Sequence, residues 1–150
     1  MAGNRQGAKA LDILVVDDSE DDVILTREGF AATGLPVNIH HVIGGYEALA
    51  YLRKVGRYAN AITPDLVMLD LNMPGMGGRE VMRHIDEDPE LRHFPVILLS
   101  SSDEPRDVMD LYKLRCSAYV VKPVEFEQFV HAIRRIVDFY ANIARLPTRP

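Results

Sequence analysis

The chain has 150 residues, 47% of them hydrophobic, a formal charge of -5 and a single cysteine, Cys116. That length suits one domain around one core, and an acidic balance with scattered Lys and Arg excludes the concentrated basic stripe that binds nucleic acid by counterion release. One thiol excludes both an intrachain disulfide and a Cys/His metal cluster, so a reducing cytoplasm is the expected setting.

The polar start, residues 1–10, has no signal-peptide core and is expected to be a mobile tail. No apolar run approaches the ~20 residues of a membrane-spanning helix. From there short apolar runs alternate with longer amphipathic stretches. Ile13 to Val16 precedes Val23 to Phe30, Leu66 to Leu69 precedes Val81 to Ile85, Val96 to Leu99 precedes Val108 to Leu114, and Tyr119 to Val121 precedes Phe126 onward. This alternation predicts βα units on a parallel sheet. Val37 to Ile43 alternates partially, which suits an edge strand, and a helix is expected around Tyr46 to Lys54. Ser19 with Asp22, and Ser102 before Asp103, Glu104 and Pro105, read as helix starts. Pro36, Pro64 and Pro95 stand before strands and Pro123 after the last one. The expected domain is 11–144 with an extended C-terminal helix, followed by a tail at 145–150 and leaving no room for a second domain.

Right-handed crossovers bring the carboxyl ends of parallel strands to one rim, where open α/β sheets bind ligands. Asp17 and Asp18 close the first strand, Asp70 the third, Ser100 the fourth and Lys122 the fifth. Three crowded carboxylates repel one another and need a cation, and an all-oxygen site with few ligands suits Mg²⁺. Acids at strand ends can be simple loop formers, but that reading leaves the hydroxyl and the lysine on the same rim unexplained. Together these residues describe phosphoryl transfer: Asp70 as carboxylate nucleophile, the cation neutralising the transferring group, and Lys122 and Ser100 on its oxygens.

Val16-Asp17-Asp18-Ser19, Asp70-Leu71-Asn72-Met73-Pro74-Gly75, Ser100-Ser101 and Tyr119-Val120-Val121-Lys122-Pro123 resemble the signature of response-regulator receiver domains over roughly residues 12 to 138. The resemblance implies a flavodoxin-like (βα)5 fold with strand order 2-1-3-4-5. It also implies a metal held by Asp18, Asp70 and the main-chain carbonyl of Asn72, with Asp17 acting through water. Ser100 and Tyr119 would form the switch, Lys122 would sense the new charge, and the Lys122-Pro123 peptide would be cis. Ser100 stands where Thr is common in the family and Gly77 where Asp is. Asn72 and Ser102 occupy positions that tune acyl-phosphate lifetime. The stretch Leu52 to Tyr58, Gly78-Arg79-Glu80-Val81 and the aromatic C-terminal extension look like single-domain regulators paired with bacterial phytochrome histidine kinases. The implied function is phosphoacceptance from a histidine kinase, with an output through an unknown downstream protein and no enzymatic turnover beyond the domain's own phosphorylation and dephosphorylation.

Other motifs carry less. Gly75, Gly77 and Gly78 fit neither common glycine-rich phosphate fingerprint and read as a tight turn into the third helix. His40 and His41 point to opposite faces of a strand and cannot chelate together; all five histidines read as structural or surface residues. Two other functions share parts of the pattern. A haloacid-dehalogenase-type phosphatase needs a second Asp where Asn72 stands, and a flavin carrier would bring its phosphate to the acids of Asp17 to Asp22.

Phe126, Phe129, Val130, Ile133, Ile136, Val137 and Tyr140 recur at helical spacing and form one apolar stripe. A helix from Glu125 to about Ala144 would be ~30 Å long, against ~17 to 20 Å for a strand. Its first half is expected to pack on the sheet. Its last turns, with Phe139, Tyr140, Ile143 and then Leu146, should overhang and form a homodimer contact.

Overall fold

The computed structural model describes residues 10–147; the expected N-terminal tail, apart from Ala10, and the end of the C-terminal tail lie outside the described residues. Five parallel strands form one sheet: β1 Leu11–Val16, β2 Val37–Val42, β3 Leu66–Asp70, β4 Val96–Ser100 and β5 Ala118–Val121. Their order is β2-β1-β3-β4-β5, as the resemblance implied. The helices between them are α1 Glu20–Thr33, α2 Gly45–Arg53, α3 Gly78–Glu87, α4 Pro105–Lys113 and α5 Phe126–Asp138.

Strand alternation divides the core in two. Leu14, Val16, Val67, Leu69 and Leu98 face one side, where they meet Ala48, Leu52, Val81, Met82 and Leu111 of α2, α3 and α4. Leu11, Ile13, Val15, Leu66, Met68, Ile97 and Leu99 face the other, against Phe30 of α1 and Phe129, Ile133 and Val137 of α5. Every residue of β1 is buried, which explains the apolar run from Ile13 to Val16, whereas β2 is half-exposed as an edge strand should be. The prolines close the lower rim: the Pro36 carbonyl accepts from Leu11 N at 3.1 Å and the Pro95 carbonyl from Val67 N at 3.0 Å.

Ser19 caps α1, its hydroxyl accepting from Asp22 N at 3.2 Å. Ser102 does not cap α4; Glu104 holds that position with Pro105 in the first turn, while the Ser102 hydroxyl donates to Asp107 at 2.7 Å and accepts from Glu104 N at 3.3 Å. No peptide bond among the described residues is cis, so Lys122-Pro123 is trans and the expectation of a cis bond is corrected. Trans is the lower-energy isomer by ~0.5–1 kcal/mol. Lys122 is anchored here by its own N–H, which donates to the Ser100 carbonyl at 2.6 Å.

Helix α5 continues as a π-helical turn, Phe139–Ile143. Phe129, Ile133 and Val137 are buried, but Phe126, expected against the sheet, is 43% exposed beside Leu25 and Val124. At the other end Phe139 and Ile143 are exposed, while Tyr140 and Leu146 pack onto the α1/α5 side of the core. The chain thus folds back under the sheet at Leu146. Ile133→Ala should lower the unfolding free energy by ~2–5 kcal/mol, and Ile24→Ala, at a half-exposed site, by less than ~0.5 kcal/mol, as urea denaturation would measure.

Candidate functional site

β1 and β3 are hydrogen-bonded neighbours in register, Val16 opposite Leu69, so the next residues, Asp17 and Asp70, leave the sheet side by side. With Asp18 they bring carboxylate oxygens within 4.8 Å of one another, and no other such group of His, Cys, Asp or Glu occurs among the described residues. Asp17 is buried, Asp70 half-buried and Asp18 exposed. Burial, then the charge of Asp17, pushes the Asp70 carboxyl up to about 6, with Lys122 and the Asn72 N–H pulling the other way. Burial also raises Asp17, against the Ser19 N–H that donates to its Oδ1 at 3.0 Å. Acids held together at this cost, with hard oxygen donors and no thiolate or imidazole among them, fit a divalent cation.

The loop that leaves Asp70 turns sharply at Gly75, with φ +74°. Gly78 then packs so tightly that a Cβ there would lie 2.7 Å from the Asp70 carbonyl oxygen. The three glycines therefore serve the turn into α3. Asn72 is exposed, its N–H turned back to the Asp70 carboxylate.

Ser100 and Lys122 arrive from β4 and β5, on the far side of Asp70 from β1. Ser100 is 1% exposed, and its hydroxyl accepts from Ser102 N at 3.1 Å. Lys122 Nζ lies 3.5 Å from Asp22 Oδ2 of α1, a pairing not read from the sequence. Tyr119 donates its hydroxyl to the Ser102 carbonyl at 2.9 Å. Ser102 in turn donates to Asp107 at 2.7 Å, and Arg79 of α3 bridges Asp107 and Asp110 of α4. Sequence reading missed this clasp because its members are 28 and 31 residues apart and no local pattern joins them. His40 and His41 are structural, one bonding Asp12 at 3.0 Å and the other donating to the Asp17 carbonyl at 2.8 Å.

A half-buried carboxylate flanked by two more, with a serine and a lysine on neighbouring strand ends, forms an acidic, cation-binding type of pocket at the carboxyl edge of an open α/β sheet. The chain matches the response regulator receiver domain family over residues 13–134 and belongs to it. Response regulator Rcp1 of Synechocystis is 32% identical over 135 residues, 90% of this chain and 92% of Rcp1. The structure of the phosphorylated cyanobacterial phytochrome response regulator RcpA superposes with a TM-score of 0.86 at 38% identity, covering 93% of this chain and 99% of that one. The bacteriophytochrome response regulator RtBRR is 37% identical with a TM-score of 0.74, over 92% of this chain and 84% of its own. Rcp1 has also been solved in a Mn²⁺-bound form. The protein is therefore a phosphoaccepting response regulator of two-component signalling, and the phosphatase and flavin-carrier readings fall away.

Because the folded Asp70 carboxyl ionises above its ordinary value of 3.8, its charging opposes folding, so the stability it contributes at low pH is lost as pH rises through about 6. In chelator, Asp70→Asn should therefore melt higher than the wild type at pH 7.5, by about 2–4 °C, and the gap should close near pH 4. Thermal unfolding at the two pH values checks this.

Proposed function

We propose that Asp70 accepts a phosphoryl group from the phosphohistidine of a histidine kinase of the bacterial phytochrome type. The single observation that carries this reading is the convergence of Asp17, Asp18 and Asp70 to within 4.8 Å beside the strand ends that bear Ser100 and Lys122. In the transfer, an Asp70 carboxylate oxygen forms a bond to phosphorus, the bond from phosphorus to the histidine nitrogen breaks, and the electron pair stays on nitrogen. Mg²⁺ is the cation, held by Asp18, Asp70 and the Asn72 carbonyl, with Asp17 acting through water; when bound it neutralises phosphoryl oxygens. Lys122 moves from Asp22 to the new charge, and the Ser100 hydroxyl gives up the Ser102 N–H to meet a phosphoryl oxygen.

Moving Ser100 releases the loop whose Ser102 carbonyl holds the Tyr119 hydroxyl, so the ring can turn inward and the α4 to β5 surface changes. The domain's own chemistry extends to hydrolysis of its acyl phosphate. Its output is altered protein binding, to a downstream protein in the cytoplasm. Among the described residues no helix is long and apolar enough to cross a membrane.

Incubation with acetyl phosphate and Mg²⁺ should add one phosphoryl mass to the wild type and none to Asp70→Asn; equal uptake by the variant would sink the assignment. Millimolar Mg²⁺ should raise the melting temperature of the wild type by mass action, and Asp18→Ala should abolish the shift.

The same reading makes the protein a homodimer through the C-terminal helix. Phe139 and Ile143, 47% and 69% exposed on its last turns, support the contact. Light scattering after size exclusion at tens of micromolar should give a dimer, and truncation after Asp138 a monomer.

A further inference from the structure

Thr26 sits on the buried face of α1 with Val23 and Phe30, and it is 3% exposed. Two turns later the buried Thr33 donates its hydroxyl to the Phe30 carbonyl at 2.6 Å. The Thr26 hydroxyl has no such partner among the described residues. It lines a small cavity between α1 and the strand ends, about 10 Å³ in volume, whose other polar walls are Asp17, Asp70 and Lys122; apolar groups of β1, β3 and β4 complete it. That is room for one water, and a buried hydroxyl facing two carboxylates and an ammonium gives such a water a full set of partners.

We propose that Thr26 anchors one buried water that donates a hydrogen bond to the Asp70 carboxylate, and that this water sets how fast Asp70 gives up its phosphoryl group. The inference rests on Asp70 being the phosphoacceptor. The water accepts from the Thr26 hydroxyl and from Lys122 Nζ and donates to Asp70 and Asp17. In hydrolysis of the acyl phosphate a different, solvent water attacks. Its oxygen bonds to phosphorus, the bond from phosphorus to the Asp70 oxygen breaks, the electron pair stays on that oxygen, and the attacking water's proton passes to solvent as inorganic phosphate leaves. The anchored water is not consumed. It binds the carboxylate that forms more strongly than the neutral acyl group that precedes it, and so lowers the barrier to release. Thr26 is a positioning residue in this scheme, acting on Asp70 through the water.

Thr26→Val keeps the shape and removes the hydroxyl, whereas Thr26→Ser keeps the hydroxyl. With all three proteins phosphorylated by acetyl phosphate and Mg²⁺ and then desalted, intact mass should show acyl phosphate decaying about three- to tenfold more slowly in Thr26→Val than in the wild type, with Thr26→Ser close to the wild type. Equal lifetimes, or equal slowing in both variants, would overturn the role. Magnetic relaxation dispersion of water needs no phosphorylation. The wild type should show one more long-lived internal water than Thr26→Val, and the same number in both would overturn the site even if the valine variant is weakened. A wild type that takes up no phosphoryl group would instead remove the phosphoacceptor reading, and with it this one, and so is distinguishable from failure of the water alone.

Discussion

The ladder between β1 and β3 forces two acids together that would separate in any flexible chain. Val16 is paired with Leu69, both buried and both hydrogen-bonded into the sheet, so Asp17 and Asp70 have no freedom to move apart without breaking the core beneath them. Asp18 follows in the next position and completes the cluster. Burial, with repulsion from Asp17 added to it at Asp70, makes both carboxyl groups harder to ionise than usual. Such a cluster favours positive charge, a divalent cation among its oxygens and the ammonium of Lys122 beside it.

Around that strain the rest of the rim is arranged as a set of exchangeable partners. Lys122 has Asp22 beside it as well as the cluster, so its ammonium can be claimed by whichever charge is greater. Ser100 is buried with its hydroxyl on a loop amide, and the same loop holds the Tyr119 hydroxyl and is gripped by Asp107 and Arg79. Three hydrogen bonds and one ion-pair clasp thus connect Ser100 and Tyr119 to α4.

The opposite face is built for persistence. Phe30, Phe129, Ile133 and Val137 bind α1 and α5 to the sheet, and beyond them the helix continues as a π-turn whose Tyr140 packs back while Phe139 and Ile143 stay exposed. Phe129, Ile133 and Val137 thus hold α5 along its buried stripe while both ends of the helix leave apolar groups exposed.

Much of this was legible along the chain. Periodicity located all five strands and all five helices, because burial on both faces writes continuous apolar runs and one-sided burial writes a stripe. The acids, serine and lysine were identifiable because each falls at a strand end, and topology sends all strand ends of a parallel sheet to one rim. The glycines of the Asp70 loop were rightly read as a turn, since the spacing matched no phosphate cradle. Other features depended on contacts between residues far apart in sequence. The Asp22 partner of Lys122, the Arg79 clasp and the Thr26 cavity exist only once α1, α3 and α4 have docked, and the exposure of Phe126 follows from where α5 meets α1 rather than from its place in the stripe. The trans Lys122-Pro123 bond and the start of α4 at Glu104 and Pro105 also differ from what the sequence suggested. Sequence by itself determined the fold and which residues reach the rim, because those follow from hydrophobic period and chain direction. Only the tertiary structure decided how those residues are paired at rest, because pairing is a matter of ångströms between elements that the linear order does not relate.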